Sequence, residues 1–285
     1  YVPGPQPPTK KDANSFGVET TSRAAIVIDV ASGEVLYEKD ADTAYPIASL
    51  TKLVTAMTLL DKNLDMQEVV TILKEDDPKE GRPVFGEGER FTRTELLRAL
   101  LIGSVNISGN ALARSTGSQA EFVAAMNKKA QRLGMSQAHF EDPTGLNRDN
   151  KASAHDVAVA LRAALSYQDI RDITKTEKIE LKGRATGKPY LIKSTNLLLD
   201  SFLNQRPYRI IAGKTGSLPE AGFCLAQATQ DKDGHEVIAV VLGSDNHFSR
   251  FQDAKALTYW TFQNHTWPEK SLTSAAENII AKVRP

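Results

Sequence analysis

Strand-like segments lie near both ends of this chain, and the stretch between them, residues 61–165, reads mainly as helix. That order constrains the fold more than any other feature. Arg23–Val30 and Glu34–Glu38 form an N-terminal hairpin around the turn Ala31-Ser32-Gly33. Ile179–Leu181, Tyr190–Ile192 and Tyr208–Ile211 are short strand candidates. Gly222–Thr229 and Glu236–Leu242 pair across Asp231-Lys232-Asp233-Gly234, a hairpin turn signal. The early and late strands must meet in one sheet, with the helical middle as an insertion. A site built from both parts lies in the cleft between them.

The helices carry their own punctuation. One runs from Ser49 to about Leu60 after Tyr45-Pro46. Thr92-Arg93-Thr94-Glu95 has the form of a capping box ahead of the apolar run Leu96–Ile102. Glu121–Leu133 places Phe122, Ala125, Met126 and Leu133 on one side and stops at Gly134. Ala154–Leu165 and Phe251–Phe262 are further helices. Four prolines in the first eight residues make 1–18 a solvated tether. The expected organisation is this tether, a folded domain over 19–267 and a C-terminal tail over 268–285. The domain's sheet part is 19–60 with 166–267, and its helical subdomain is 61–165. The tail contains an amphipathic fragment, Ala275–Val283, to which no role is assigned.

Composition narrows the function classes. With 35 basic and 35 acidic residues, no net field recruits nucleic acid, and a nucleic-acid partner is not expected. The single cysteine, Cys224, lies in an apolar run and reads as a small core residue. No run reaches the roughly 18 apolar residues needed to span a bilayer. The chain begins at Tyr1, as a mature or trimmed form would, so a signal or anchor could have been removed.

Three polar motifs carry the chemistry. In Pro46-Ile47-Ala48-Ser49-Leu50-Thr51-Lys52 a serine and a lysine stand three residues apart and share a helix face. A lysine in a dry pocket near other cations loses its proton more easily and can take the serine's proton. Ser104-Val105-Asn106 follows the apolar helix directly. Its hydroxyl can relay a proton, and its amide can hold a lysine head and a substrate carbonyl. Lys214-Thr215-Gly216-Ser217 offers a cation, a hydroxyl for a carboxylate, and a glycine that admits close backbone approach. A phosphate loop is excluded, because Tyr208 stands where its first glycine is needed and Pro219 and a strand follow. His139, His155, His235, His247 and His265 have no nucleophile-elbow context, so a Ser-His-Asp triad is not expected. No cluster with metal-ligand spacing stands out, and neither metal nor cofactor is implied.

Ser-x-x-Lys, Ser-x-Asn and Lys-Thr-Gly in this order are the motif set of penicillin-binding proteins and related β-lactamases. The chain resembles the low-molecular-mass penicillin-binding proteins, serine-type D-alanyl-D-alanine peptidases. The resemblance extends to Met126-Asn127, Leu133-Gly134-Met135, His139-Phe140, Pro143–Leu146 and Ala221–Cys224, and spans about residues 20–262. It implies an α/β fold, a mainly antiparallel sheet flanked by helices with an inserted all-helical subdomain. It also implies that Ser49 attacks the penultimate D-Ala carbonyl, with Lys52 as base and Ser104, Asn106 and Lys214 completing the proton network. The N–H groups of Ser49 and Ser217 would form the oxyanion hole beside Gly216, and Thr215 and Arg250 would bind the terminal carboxylate. Ser108-Gly109-Asn110 carries the commoner family wording of the second motif, but Ser104 is preferred for its place after the helix.

The implied partners are peptidoglycan stem peptides and β-lactam inhibitors, outside the cytoplasmic membrane, with peripheral or anchored membrane association possible. The main reading is a carboxypeptidase. A D,D-endopeptidase cutting cross-links is the alternative, since the tail is too short for the β-rich C-terminal domain many family carboxypeptidases carry. A class A β-lactamase would need a glutamate near 141–147, where only Glu141 and Asp142 stand close. A catalytically dead binding module has no use for a lysine-activated serine.

Overall fold

The computed structural model describes residues 4–79 and 84–268. In chain order the strands before the insertion are β1 (Thr9–Lys10), β2 (Ala24–Asp29), β3 (Val35–Lys39) and β4 (Tyr45–Pro46). The middle of the chain holds α1 (Lys52–Leu60), β5 (Val69–Thr71), β6 (Arg90–Thr92), α2 (Arg93–Ile102), α3 (Asn106–Arg114), α4 (Gln119–Leu133) and β7 (Lys151–Ala152). Then come α5 (Ala154–Ala164), α6 (Gln168–Thr174), β8 (Lys178–Lys182), β9 (Pro189–Lys193) and β10 (Arg209–Leu218). The chain closes with β11 (Gly222–Gln230), β12 (Glu236–Ser244), α7 (Ser249–Asn264) and β13 (His265–Thr266).

The N-terminal hairpin and the late strands meet in one antiparallel sheet of order β10-β11-β12-β2-β3. Because side chains alternate along a strand, β2 and β12 feed two cores at once. Ile26, Ile28, Ile238 and Val240 pack toward the helical insertion, while Ala25, Val27, Val237 and Val241 pack beneath Phe251, Ala254 and Leu257 of α7. Residues buried on both faces read as the near-continuous apolar runs seen in the sequence. α1 is buried from Lys52 to Leu59 and packs against α2, α4 and α5, so it is the axle of the insertion.

Three expectations need correction. The insertion is not all-helical: β-branched Val69-Val70-Thr71 pairs with Arg90-Phe91-Thr92 in a short hairpin. β8 and β9 form their own hairpin instead of joining the main sheet. The segment read as a solvated tether is docked, with β1 paired to β13 and Ser15 Oγ accepting from the Trp260 indole. The fragment Ala275–Val283 lies outside the described residues. Among those residues no helix is long and apolar enough to cross a membrane.

The local signals at helix ends hold. Thr92 and Glu95 form a reciprocal capping box on α2, Ser118 and Glu121 do so on α4, and Gly134 closes α4 with φ 79°. Past that glycine the chain enters the segment 139–150, which carries no side chain of the three motifs yet is fastened at many points. Asn127 of α4 accepts from the Phe140 N–H at 2.9 Å and donates to its carbonyl at 2.8 Å. Asn150 donates to Thr51 Oγ1 and to the Asp142 carbonyl, and accepts from Glu141 N–H. Thr55 of α1 donates to the Pro143 carbonyl at 2.7 Å. Replacing Asn127 by Ala leaves both Phe140 backbone groups unpaired, so urea unfolding should show a loss of about 1–3 kcal/mol.

Candidate active site

Ser49 sits in a 3-10 turn, Ala48–Thr51, that runs directly into α1. Ala48 adopts φ 49° and Ser104 φ 56°, so two non-glycine residues flanking the site occupy the left-handed region. Each such conformation costs about 1–3 kcal/mol and persists only where the surroundings enforce it. Lys52 is the first residue of α1 and is fully buried. Its ammonium donates to Ser49 Oγ at 2.7 Å, to Asn106 Oδ1 at 2.7 Å, and to the Thr144 carbonyl. Lys214 of β10 donates to Ser104 Oγ at 2.9 Å and to the Thr215 carbonyl at 2.9 Å. Ser49, Lys52, Ser104, Asn106 and Lys214 thus converge from α1, the α2–α3 turn and the edge strand of the sheet.

Burial decides the protonation chemistry. Desolvation pulls Lys52 down to about 7, and the charge of Asp142 opposes this only in part. Lys214 is held well below the usual lysine range, first by burial and then by the charges of Lys52 and Arg250. When Lys52 is neutral, it has a lone pair, and the 2.7 Å contact becomes a hydrogen bond that the Ser49 hydroxyl donates to Nζ. That is the arrangement a serine nucleophile and its base would need.

Two glycines let the backbone close around Ser49. A Cβ on Gly216 would stand 2.8 Å from the Ile47 carbonyl oxygen and 3.1 Å from Ser49 N, so β10 lies hard against the nucleophile turn. Gly145 has φ 83°, and a Cβ there would fall 1.9 Å from the Ala48 oxygen. Ser217, exposed one residue past Gly216, ends the buried part of β10. The Thr215 hydroxyl shares a 2.6 Å hydrogen bond with Thr195 Oγ1. Arg250 is only 3% exposed, so it belongs to the interior and is not a surface arginine. Its guanidinium donates to the Gly216 carbonyl at 2.9 Å and to His247 Nδ1 at 3.0 Å, and it packs over Phe251 and Phe223.

Other candidates fall away from the cluster. Ser108 is buried with its hydroxyl unpaired, and Asn110 donates to the Asp76 carbonyl, so the Ser108-Gly109-Asn110 wording is not the second motif. Glu141 is exposed and pairs with His139 at 2.7 Å. Asp142 is fully engaged by N–H groups of Thr144, Gly145 and Asn147 and by the Thr144 hydroxyl. Neither carboxylate is placed as the deacylating base of a class A β-lactamase. One sequence expectation is corrected: Asp231, Asp233 and His235 do gather their donor atoms within 4.8 Å of one another. They sit at the β11–β12 turn, at the opposite end of those strands from Phe223 and Ser244, and Asp231 is already bonded to the His235 ring.

Sequence reasoning missed Thr144, Thr195 and His247. Thr144 acts through its carbonyl, which no side-chain pattern reveals. Thr195 lies 20 residues from Thr215 and His247 three from Arg250, and neither position has a distinguishing spacing.

A lysine-paired serine between an antiparallel sheet and a helical insertion defines a serine acyl-transfer enzyme of the penicillin-binding type. The chain belongs to the D-alanyl-D-alanine carboxypeptidase family, Peptidase_S11, whose profile matches residues 9–246. A D-alanyl-D-alanine endopeptidase of Pseudomonas aeruginosa is 34% identical over 246 residues, covering 85% of this chain and 77% of that protein. The D-alanyl-D-alanine carboxypeptidase DacF of Bacillus subtilis is 32% identical, covering 87% of this chain and 64% of that protein. The crystal structure of the Streptomyces K15 DD-transpeptidase superposes with a TM-score of 0.80 at 29% identity, covering 87% of this chain and 99% of that one.

A base near 7 must be deprotonated to act. The rate of Ser49 acylation should therefore rise with pH, falling about tenfold per unit below 7 and levelling above it. Stopped-flow acylation across pH 5–9 checks this. Gly145→Ala should slow acylation by displacing Ala48 and Ser49, while overall secondary structure by circular dichroism stays intact.

Proposed function

We propose that this chain is a serine D-alanyl-D-alanine carboxypeptidase acting on peptidoglycan stem peptides. The observation that carries the reading is the 2.7 Å contact between Ser49 Oγ and a fully buried Lys52 pulled down to about 7. Ser49 Oγ attacks the carbonyl carbon of the penultimate D-Ala, and its proton passes to neutral Lys52. The N–H groups of Ser49 and Ser217 receive the oxyanion. Collapse breaks the peptide bond, the departing amine takes a proton through Ser104 and Lys214, and D-Ala leaves. The remaining ester on Ser49 is hydrolysed by water. Thr215 and Arg250 hold the terminal carboxylate, with Gly216 giving the substrate backbone room.

The same acyl-enzyme serves a D,D-endopeptidase if the leaving amine belongs to a second stem peptide, and the Pseudomonas relative named an endopeptidase supports that second reading. Since stem peptides lie beyond the cytoplasmic membrane, we place the protein there, with any peripheral or anchored association on that side. β-Lactams mimic the substrate's reacting amide and should leave a slowly hydrolysed ester on the same serine.

Intact mass after incubation with benzylpenicillin should show one stable adduct. Ser49→Ala should abolish the adduct and reduce D-Ala release from a D-Ala-D-Ala peptide at least on the order of a thousandfold. An adduct that survives in Ser49→Ala contradicts the assignment, and rapid antibiotic hydrolysis without an adduct points to a β-lactamase.

A further inference from the structure

Arg250 directs its hydrogen bonds at the protein itself. Its Nη1 donates to the Gly216 carbonyl at 2.9 Å, and its Nη2 meets His247 Nδ1 at 3.0 Å. The guanidinium lies 4.8 Å from the Phe251 ring and 5.5 Å from that of Phe223. A guanidinium has only donors, so Nδ1 of His247 is the acceptor and the ring proton sits on Nε2. Burial, and then the Arg250 charge, holds His247 below the ordinary histidine range, which preserves that lone pair at neutral pH. The ring is held on several sides. Asn246 Oδ1 accepts the N–H groups of Phe248 and Ser249 where α7 begins, and the imidazole stands T-shaped against Phe223, Phe248 and Phe251.

The carbonyl that Arg250 holds belongs to the same peptide unit as the Ser217 N–H. That peptide is trans, so its C=O and N–H point to opposite sides of the chain. α7, which carries Arg250, packs on β11 and β12, and β10 has β11 on one side and no strand on the other. A Gly216 carbonyl drawn toward Arg250 therefore turns the Ser217 N–H to the open edge. The same peptide lies beside the nucleophile, since a Cβ on Gly216 would stand 3.1 Å from Ser49 N. A cation on the carbonyl also polarises the peptide and strengthens its N–H as a donor.

We propose that His247 is a positioning residue for the oxyanion hole: it aims Arg250 at the Gly216 carbonyl and so sets the direction of the Ser217 N–H. The proposal rests on the acyl-enzyme reading above and adds to it a residue that acts only through Arg250. Its effect falls on the oxyanion that develops at the acyl carbon, whatever the leaving group carries.

Two substrates with one acyl part separate this role from carboxylate binding. One is Nα,Nε-diacetyl-Lys-D-Ala-D-Ala, and the other is the S-ethyl thioester of Nα,Nε-diacetyl-Lys-D-Ala, whose ethanethiol leaving group has no carboxylate. Rapid-quench single-turnover acylation near pH 8, read by intact mass, gives a maximal rate and a half-saturating concentration for each. His247→Leu should lower the maximal rate about fivefold on both substrates and leave half-saturation unchanged. His247→Asn, whose Oδ1 can accept where Nδ1 did, should restore both rates. A loss confined to the D-Ala-D-Ala peptide, or seen only as weaker half-saturation, overturns the proposal, because His247 would then serve carboxylate binding alone. Unchanged acylation in His247→Leu overturns it as well, as does a loss that His247→Asn does not restore. A wild-type protein that forms an acyl-enzyme with neither substrate overturns the serine-peptidase reading itself.

Discussion

The site depends on keeping one lysine dry without giving it a carboxylate. Lys52 is fully buried, and its partners are a hydroxyl, an amide oxygen and a backbone carbonyl. A carboxylate within hydrogen-bond reach would stabilise the ammonium and return the lysine to its ordinary range. Asp142 is the charge that could have done so, and it is instead spent on backbone N–H groups of its own loop. Neutral acceptors orient the amine without fixing its charge. That balance lets a residue that stays charged in water lose its proton near neutral pH, as the proposed base must.

The rest of the architecture keeps that arrangement in place. A buried amine disfavours the folded state, and two strained residues, Ala48 and Ser104, add to the cost. The two-sided core of β2 and β12 and the all-round burial of α1 offset it. The segment 139–150 delivers the Thr144 carbonyl because Asn127, Thr55, Asn150 and Asp142 each tie a different part of it down. On the other side, β10 can press Lys214 toward Ser104 only because Gly216 offers no Cβ to the nucleophile turn.

What the sequence made legible, and what it hid, follows the same physics. The capping box at Thr92, the Gly134 stop and the Asp231–Gly234 turn are local devices, so their residues announce them. That Ser49, Lys52, Ser104, Asn106 and Lys214 meet was legible because each contributes a chemically distinctive side chain within a short motif, and the family resemblance pointed to which copies to choose. The docking of β1 on β13 was hidden, because two residues pairing across more than 250 positions leave no periodic trace. So was the β5–β6 hairpin, whose three-residue strands are too short to show alternation. Thr144 was hidden for a different reason: it works through its backbone. Arg250 could be named but not judged, since only burial separates a surface arginine from one that holds the Gly216 carbonyl.

The most direct test of the account is the titration of Lys52 itself. Selective isotope labelling of lysine, with Lys52 assigned by its absence in Lys52→Arg, allows its Cε shift to be followed by NMR across pH 5–11. The account predicts a midpoint near 7, set by desolvation. A midpoint in the ordinary lysine range, near 10.4, would mean that Lys52 stays charged at neutral pH and cannot be the base that activates Ser49.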